Sequence, residues 1–337
     1  MKEITPSRII ISRTDSIGDV VLTFPICHWL REEFPHSELI YLGRDYTRSI
    51  IESFTMIDQF ISWDDLKNMP KLEQIEQIKR IDADTIIHIF PNKDIAHIAK
   101  KVGIQNRIGT SHRSFHLLSC NVRINFSRKN AELHESQLNF NLLKPFGLSD
   151  IPTLETINKQ LAQWKIQREP LPSLVTDFIS NSTNTVILHP KSQGSAKEWP
   201  IEKYISLAQN LTVKKWKVIF TGTENEGILF RDLLPNNENI LDTTGKLTLK
   251  QLMHLISISQ VLVACSTGPL HIAGISGINT IGVFSPRKPI HPGRWKPIGV
   301  KVNAIVFDES CSICKKSKHC SCITQISVEK IEQLIIN

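Results

Sequence analysis

The stretch RIIISRTDSIGDVVLTFPICHWLREEF, residues 8–34, contains a β-branched run, a polar loop and an amphipathic segment in that order. The run Arg8–Arg13 predicts a buried strand, and Val20–Phe34 predicts a helix with one apolar side. Pro25 either belongs to the opening turns of that helix or kinks it. A strand joined to a helix by a short loop is the repeating unit of a parallel α/β sheet.

The same alternation continues through the first half of the chain and starts again in the second half. In the first half we predict further strands at Glu38–Leu42, Gln59–Ser62, Asp84–Phe90 and Asn106–Gly109, and helices at Asp45–Phe54, Lys71–Ile81 and Asp94–Val102. In the second half we predict strands at Thr185–His189, Lys217–Thr221, Asn239–Leu241, Gln260–Ala264 and Thr280–Val283, and helices at Ile201–Leu211, Glu226–Leu234, Leu249–Ser257 and Pro269–Ser276. The sequence therefore predicts two doubly wound, Rossmann-like α/β domains that face a central cleft.

Chain length and a change of composition predict where the domains divide. The 337 residues exceed what one hydrophobic core usually organises. Pro170, Pro172 and the run Ser180-Asn181-Ser182 interrupt the alternation in the way that a linker does. We therefore expect a first domain over residues 1–165, a linker over 166–184, a second domain over 185–325 and a closing helix over 326–337.

Charge and hydropathy restrict the class of protein. A formal net charge of +7 suits either an anionic partner or a basic surface without a specific partner. No apolar run reaches the roughly 18–20 residues that cross a bilayer, and the N-terminus lacks the apolar core of a signal peptide, so we expect a cytoplasmic protein. Nucleic-acid binding without catalysis is disfavoured, because the chain has only 3 Tyr and no aromatic-rich basic stripe.

The loop Ser12–Asp19 follows the first predicted strand and contains two carboxylates, Asp15 and Asp19. Ligands of parallel α/β sheets bind beyond the carboxyl ends of the strands, so chemistry is expected in such loops. Gly18 allows a substrate to approach the backbone closely. Asp19 is either a general base or a helix cap, and Ser16 is the other candidate for the cap.

The loop His189–Pro200 opens the second half and combines small residues, hydroxyl groups and two lysines. Lys191, Ser192 and Lys197 suit a phosphate group, although a solvated basic loop has the same composition. The motif G-x-G-x-x-G of dinucleotide-binding proteins and the Walker motif are both missing. NAD-dependent enzymes and P-loop kinases are therefore disfavoured.

The loop Cys265–His271 lies between an apolar strand and a helix, and it is the most specific of the three. Ser266 or Thr267 can cap that helix, and Pro269 suits its first position. The free N–H groups of the first turn then form an anion site. His271 is either a phosphate donor or a structural histidine.

These three loops, in this order, resemble the signatures of glycosyltransferase family 9, the heptosyltransferases of lipopolysaccharide core synthesis. The similar motifs are Arg13-x4-Gly18-Asp19-Val20-Val21-x3-Pro25, Lys197-x-Trp199-Pro200 and Ser266-Thr267-Gly268-Pro269-Leu270-His271. The resemblance extends from about Arg8 to Gly299. It implies a GT-B fold with the acceptor on the first domain, the donor nucleotide on the second, and the closing helix returning toward the first domain.

The resemblance also implies an inverting, metal-independent transfer of a heptose-like sugar from ADP-heptose to a lipid-linked or core oligosaccharide. No cofactor is expected, and a peripheral contact with the inner membrane surface is. Asp19 would be the base, and Lys197 would stabilise the leaving diphosphate. The other donor contacts implied are Lys191, Ser192, Glu226, Leu247, Ser266, Thr267, Gly268 and His271. On the acceptor side they are Arg13, Gly18 and Arg294. A nucleotide-sugar epimerase of the same fold is the alternative reaction.

Four of the 7 cysteines lie close together near the end of the chain, as Cys311-x2-Cys314-x5-Cys320-x-Cys322. The first pair has the spacing of a zinc knuckle, whereas the second pair is too tight for another one. The cluster therefore forms either a structural zinc site, reduced thiols or a local disulfide.

Overall fold

The computed structural model describes residues 4–129, 132–161, 164–180, 182, 184–316 and 321–336. The chain divides into two compact units, Met1–Leu161 and Ala162–Asn337. The predicted first domain ended at residue 165. The observed division lies between Leu161 and Ala162.

The first unit contains a six-stranded parallel sheet. Its strands are β1 Arg8–Ser12, β2 Glu38–Gly43, β3 Gln59–Ser62, β4 Thr85–His88, β5 Asn106–Thr110 and β6 Val122–Ile124. Their order across the sheet is β3-β2-β1-β4-β5-β6, and Ile10 pairs with Ile40 on one side and with Ile86 on the other. The order reverses direction between β1 and β4, which makes this point the ligand-binding position of a doubly wound fold.

Helices connect these strands. They are α1 Ile17–Val21, α2 Phe24–Glu33, α3 Arg48–Glu52, α4 Trp63–Asn68, α5 Lys71–Arg80, α6 Lys93–Val102, α7 Ser114–Ser119, α8 Glu135–Phe140 and α9 Leu154–Leu161. Two 3₁₀ helices, Asp45–Thr47 and Asn141–Phe146, complete the set among the described residues. Ile10 and Ile40 pack against the apolar faces of α5 and α6 through Ile78 and Ile95, so one core lies under the carboxyl end of β1.

The second unit repeats the plan with a second parallel sheet. Its strands are β7 Thr185–His189, β8 Lys217–Phe220, β9 Ile240–Asp242, β10 Val261–Cys265, β11 Asn279–Val283 and β12 Val302–Ile305. The order β12-β11-β10-β7-β8-β9 is the order of the first sheet, and its reversal lies between β7 and β10. The predicted α/β class with two Rossmann-like sheets is confirmed.

Nine helices are described in the second unit, together with a 3₁₀ helix at Arg231–Leu233. They are α10 Ser173–Ile179, α11 Ile201–Val213, α12 Glu224–Gly227, α13 Leu249–Ile258, α14 Gly268–Ser276, α15 Pro292–Trp295, α16 Ser312–Lys316, α17 Cys322–Gln325 and α18 Val328–Ile336.

The last helix, α18, packs on α11 of its own unit. Ile331 and Ile335 are buried in the second core. Glu332 accepts a hydrogen bond from Asn210 at 2.8 Å and forms an ion pair with Lys214 at 2.7 Å. The closing helix predicted over 326–337 is observed over Val328–Ile336, and its predicted return toward the first unit stays a prediction.

Several predicted elements differ from the observed ones. The predicted helix Val20–Phe34 is two helices, because the chain breaks before Pro25, the second residue of α2. The predicted linker over 166–184 contains α10. The predicted helix Glu226–Leu234 is a short α12 followed by a 3₁₀ turn. The edge strands β6 and β12 were not predicted, since three or four residues carry little alternation.

Candidate functional site

The loops that the sequence indicated follow the strands at the two reversal points. Arg13–Asp19 follows β1 in the first unit. In the second unit, the loop after β7 carries the two lysines, and Ser266-Thr267 follows β10. Each candidate loop therefore lies where the sheet of its own unit leaves space for a ligand.

Asp19 lies in the first turn of α1, and its carboxylate is held by two side chains. The Arg13 guanidinium donates to Oδ1 at 2.5 Å, and the Ser16 hydroxyl donates to Oδ2. Ser16 occupies the N-cap position without a side-chain cap bond, so the cap does not fall on Asp19. The side chain of Asp19 is 16% exposed, which leaves part of the carboxylate open to a ligand.

Arg13 is the buried centre of a charged cluster. It is 2% exposed, and its Nε and Nη2 atoms contact the two carboxylate oxygens of Asp15 at 2.8 and 3.1 Å. Burial opposes the guanidinium charge, but the nearby Asp15, Asp19 and Glu135 outweigh it and raise the pKa of Arg13. The predicted contact between Arg13 and an acceptor stays a prediction, whereas its described contacts make it a positioning residue for Asp19.

Behind this cluster lies a second group of side chains that the sequence did not indicate. Glu135 is 1% exposed and contacts Arg13 at 3.5 Å and Arg128 at 2.9 Å. The Asn139 amide oxygen accepts from both arginines, and its nitrogen donates to the carbonyl of Leu22 at the end of α1. The sequence could have indicated this group through Glu135, a carboxylate on the buried side of the short helix α8.

The environment of Asp15 raises the pKa of its carboxyl to about 6. Burial is the main cause, the like charge of Asp19 adds to it, and Arg13 acts against it. Two neighbouring carboxylates thus share one guanidinium, which is an arrangement that separates their proton affinities.

The loop after β7 presents one lysine that is paired and one that is not. Lys191 contacts Glu198 at 3.0 Å, and the same carboxylate accepts from the Ser192 amide at 2.9 Å. The described part of the chain gives the Lys197 ammonium no hydrogen bond or ion pair, so its charge is available to an anion. Sequence reasoning missed Glu198, which holds both Lys191 and Ser192.

The loop after β10 forms the N-terminus of α14. Thr267 is its N-cap with an extended backbone and no side-chain cap bond. Its hydroxyl oxygen is buried and has no hydrogen-bond partner among the residues that the structure describes. Gly268 is the first residue of the nine-residue helix, Pro269 follows it, and His271 is 3% exposed within the same turn. Helix N-termini of this kind favour anions.

The remaining predicted donor contacts lie in neighbouring loops of the second unit. Glu226 is 5% exposed, and its Oε2 accepts from the amide and hydroxyl of Thr223 at 2.7 and 2.9 Å in a capping box. Leu247 is half-buried in the loop after β9. Glu226 follows β8, which is adjacent to β7, and Leu247 follows β9 at the edge of the sheet. Their contacts with a nucleotide stay predictions.

Arg294 lies in the second unit, in the short helix α15. It is 9% exposed, and its guanidinium lies over the Trp295 ring at 4.9 Å from the centroid. Its predicted contact with an acceptor stays a prediction.

Three of the four clustered cysteines come together. The sulfur atoms of Cys311, Cys314 and Cys322 lie within 4.8 Å of one another. Cys320 lies outside the described residues.

Residues 72–323 match the model of glycosyltransferase family 9, described as heptosyltransferase. The chain belongs to this family. It is therefore a glycosyltransferase, and the resemblance predicted from the three loops is confirmed.

Related proteins cover nearly the whole chain. A Haemophilus influenzae protein named only by its glycosyltransferase class is 27% identical over 89% of this chain and 88% of its own. Lipooligosaccharide heptosyltransferase 2 of Campylobacter jejuni is 22% identical over 96% of each chain. The structure of Escherichia coli heptosyltransferase WaaC with ADP has a TM-score of 0.74 at 15% identity, and covers 97% of this chain and 98% of its own. This last likeness establishes the GT-B fold.

None of the described helices combines the length and the apolar character needed to cross a lipid bilayer.

Proposed function

We propose that this glycosyltransferase moves a heptose-like sugar from an ADP-linked donor to a lipopolysaccharide core or related surface-glycan acceptor. The observation that carries the proposal is the Asp19 carboxylate, partly exposed at the reversal point of the first sheet and oriented by Arg13 and Ser16. The relatives support the sugar and acceptor class, and the WaaC structure with ADP supports the nucleotide.

In this proposal Asp19 accepts the proton of the acceptor hydroxyl. The freed oxygen attacks the anomeric carbon as the bond to the diphosphate breaks, so the configuration inverts in a single displacement. A positioned general base of this kind contributes roughly 10²–10⁴-fold to the rate. Arg13 neither gives up nor accepts a proton in the reaction. The buried Glu135, which also contacts Arg128, keeps Arg13 in place.

The departing diphosphate requires positive charge. We propose that Lys197 and the N-terminus of α14, with Thr267, Gly268 and His271, stabilise it in place of a divalent cation. Lys191 and Ser192 would exchange Glu198 for phosphate oxygens, and Ser266 would contact the donor sugar. Glu226 and Leu247 would contact the ribose and base, and Gly18 and Arg294 the acceptor.

An acceptor of this class is anchored in a membrane. The proposal therefore places the enzyme in the cytoplasm, in peripheral contact with the inner face of the cytoplasmic membrane.

The test combines a donor screen with a matched pair of variants. Thermal-shift measurements against ADP, UDP, GDP and their sugars identify the nucleotide, because a ligand at about 100 times its dissociation constant adds about 2.7 kcal/mol to the unfolding free energy. Transfer with the identified donor is then measured for Asp19→Asn and Asp15→Asn. We expect a loss of roughly 10²–10⁴-fold for the first and less than ~10-fold for the second. Equal losses would show that Asp19 is not the base.

A further inference from the structure

The three cysteines near the C-terminus form a compact sulfur cluster. Cys314 and Cys322 are 2% and 7% exposed, and Cys311 packs against them half-buried. Cys311 and Cys314 flank the start of α16, and Cys322 is the first residue of α17. Two separate chain segments therefore direct their sulfur atoms to one point.

Hydrogen-bond donors point at this cluster from the backbone and from a neighbouring loop. The backbone N–H of Cys314 donates to the sulfur of Cys311 at 3.5 Å. The Ser285 hydroxyl, after β11, donates to the sulfur of Cys314 at 3.8 Å. Donors of this kind stabilise negative charge on sulfur, and they are the supporting contacts that metal-bound thiolates receive.

The spacing of the sulfur atoms suits a tetrahedral metal ion. With metal–sulfur bonds of about 2.3 Å, tetrahedral geometry separates two ligand sulfurs by roughly 3.8 Å. The three sulfur atoms all lie within 4.8 Å of one another, so an approach of at most about 1 Å lets them share one ion. One soft cation can bind three thiolates that lie this close together. Sulfur-rich tetrahedral sites select zinc or iron.

We propose that Cys311, Cys314 and Cys322 are ligands of a structural metal ion, zinc or iron. The site is independent of the sugar-transfer chemistry, because none of its three described ligands belongs to the loops after β1, β7 or β10. This metal site is an inference beyond the proposed function, and its failure would leave the proposed function unchanged.

The surroundings of the cluster indicate what the ion stabilises. Ile323, directly after Cys322, and Ile326, one turn further on, are buried in the second core. The carbonyl of Ile326 accepts from the Trp199 indole at 3.0 Å and from the Lys203 ammonium at 2.6 Å. Trp199 lies at the end of the loop that carries Lys197. The ion thus fixes the segment that supports this loop and leads into α18.

The first test is the metal content of the full-length protein, purified under reducing conditions without a metal-affinity tag. Mass spectrometry of the elements should find roughly one equivalent of zinc or iron per chain, as one tetrahedral site requires. Iron bound to thiolates gives a visible charge-transfer absorption and zinc does not, which distinguishes the two ions. A chain with less than ~0.1 equivalent that takes up neither ion after reduction would overturn the proposal. An intact disulfide within the cluster would do the same.

Matched variants then assign the ligands. Cys314→Ser should contain at least ~10-fold less metal, whereas Cys120→Ser, which alters a buried cysteine of the first unit, should keep it. Equal metal content in both variants would show that the cluster is not the site. If Cys314→Ser does not fold, the parent chain answers the question, because chelation should lower its melting temperature and zinc or ferrous iron should restore it. An unchanged melting temperature after the ion has been removed would contradict the structural role.

Discussion

Two carboxylates in the loop after β1 have the same neighbour but different environments. Asp15 has both oxygens on Arg13, while Asp19 divides its oxygens between Arg13 and Ser16. The sequence indicated one loop that contains both acids, four positions apart. It could not predict Glu135 and Asn139, because these residues contact Arg13 only through the fold, from more than 100 positions along the chain. Arg128 joins the cluster through the same two residues.

The raised pKa of Asp15 predicts a pH dependence of stability. Its folded-state pKa of about 6 lies above the ordinary value near 4, so between these values the folded chain binds more protons than the unfolded chain. The Asp15 contribution to stability therefore falls as the pH rises from about 4 to 6, by at most about 1.4 kcal/mol per unit.

Asp15→Asn should remove this dependence. Urea unfolding at several pH values measures it, and the difference in unfolding free energy between the variant and the parent should move in the variant's favour as the pH rises from about 4 to 6. A difference that is constant across the range would show that the pKa of Asp15 is not raised.

The Thr267 hydroxyl predicts opposite effects on stability and on binding. Because this buried oxygen has no partner among the described residues, Thr267→Val should leave the unfolding free energy unchanged or raise it by about 1 kcal/mol. If the hydroxyl binds phosphate, nucleotide affinity should fall about 10-fold or more, as for a lost bond to a charged group. Calorimetric titration and thermal unfolding measure the two quantities.

Thr212→Val is the matched control for that variant. Its hydroxyl donates to the carbonyl of Gln209 at 2.9 Å within α11, so its removal should not affect nucleotide affinity. Equal affinities for Thr267→Val and the parent would remove Thr267 from the phosphate site.

At the scale of elements, the prediction succeeded where clear breaks mark both ends of an element. The strands β3 and β7 have the predicted bounds, and α18 lies within the predicted 326–337. It failed at Val20–Phe34, where the apolar pattern is continuous but the helix is interrupted. The first helix ends at its C-cap Leu22, and Thr23 is the N-cap of the next helix. The Thr23 hydroxyl donates to the carbonyl of Asp19 in the preceding turn. An apolar pattern does not record such a break.

The packing of α18 predicts unequal effects for two isoleucines of one helix. Ile331 is 0% exposed and belongs to the second core, whereas Ile336 is 43% exposed. Ile331→Ala should lower the unfolding free energy by about 2–5 kcal/mol. Ile336→Ala should change it by less than about 0.5 kcal/mol. Denaturant unfolding of the full chain measures both, and similar losses would contradict the described packing.

At the scale of the whole molecule, the chain uses one plan twice. Both units have the same strand order. The loop singled out in the first unit follows β1, and the two loops singled out in the second unit follow β7 and β10, which lie on either side of the reversal. This much was predictable, because the reversal follows from the alternation of strands and helices and the loops carry the unusual residues. What each loop binds was not predictable from the pattern. In the part of the chain that the structure describes, the charge of Lys191 is paired with Glu198 and that of Lys197 has no such partner.

The proposed binding of the donor by the second unit and of the acceptor by the first predicts where a nucleotide alone changes hydrogen exchange. If the second unit binds the diphosphate, the nucleotide identified by the donor screen should slow exchange of the amides in residues 189–200 and 266–271, because helix N-termini bind phosphate through their N–H groups. The amides of residues 13–19 should exchange as before. Lys197→Gln is the matched control and should weaken the protection at both loops at a fixed nucleotide concentration. Protection confined to residues 13–19 would reverse the assignment of donor and acceptor to the two units.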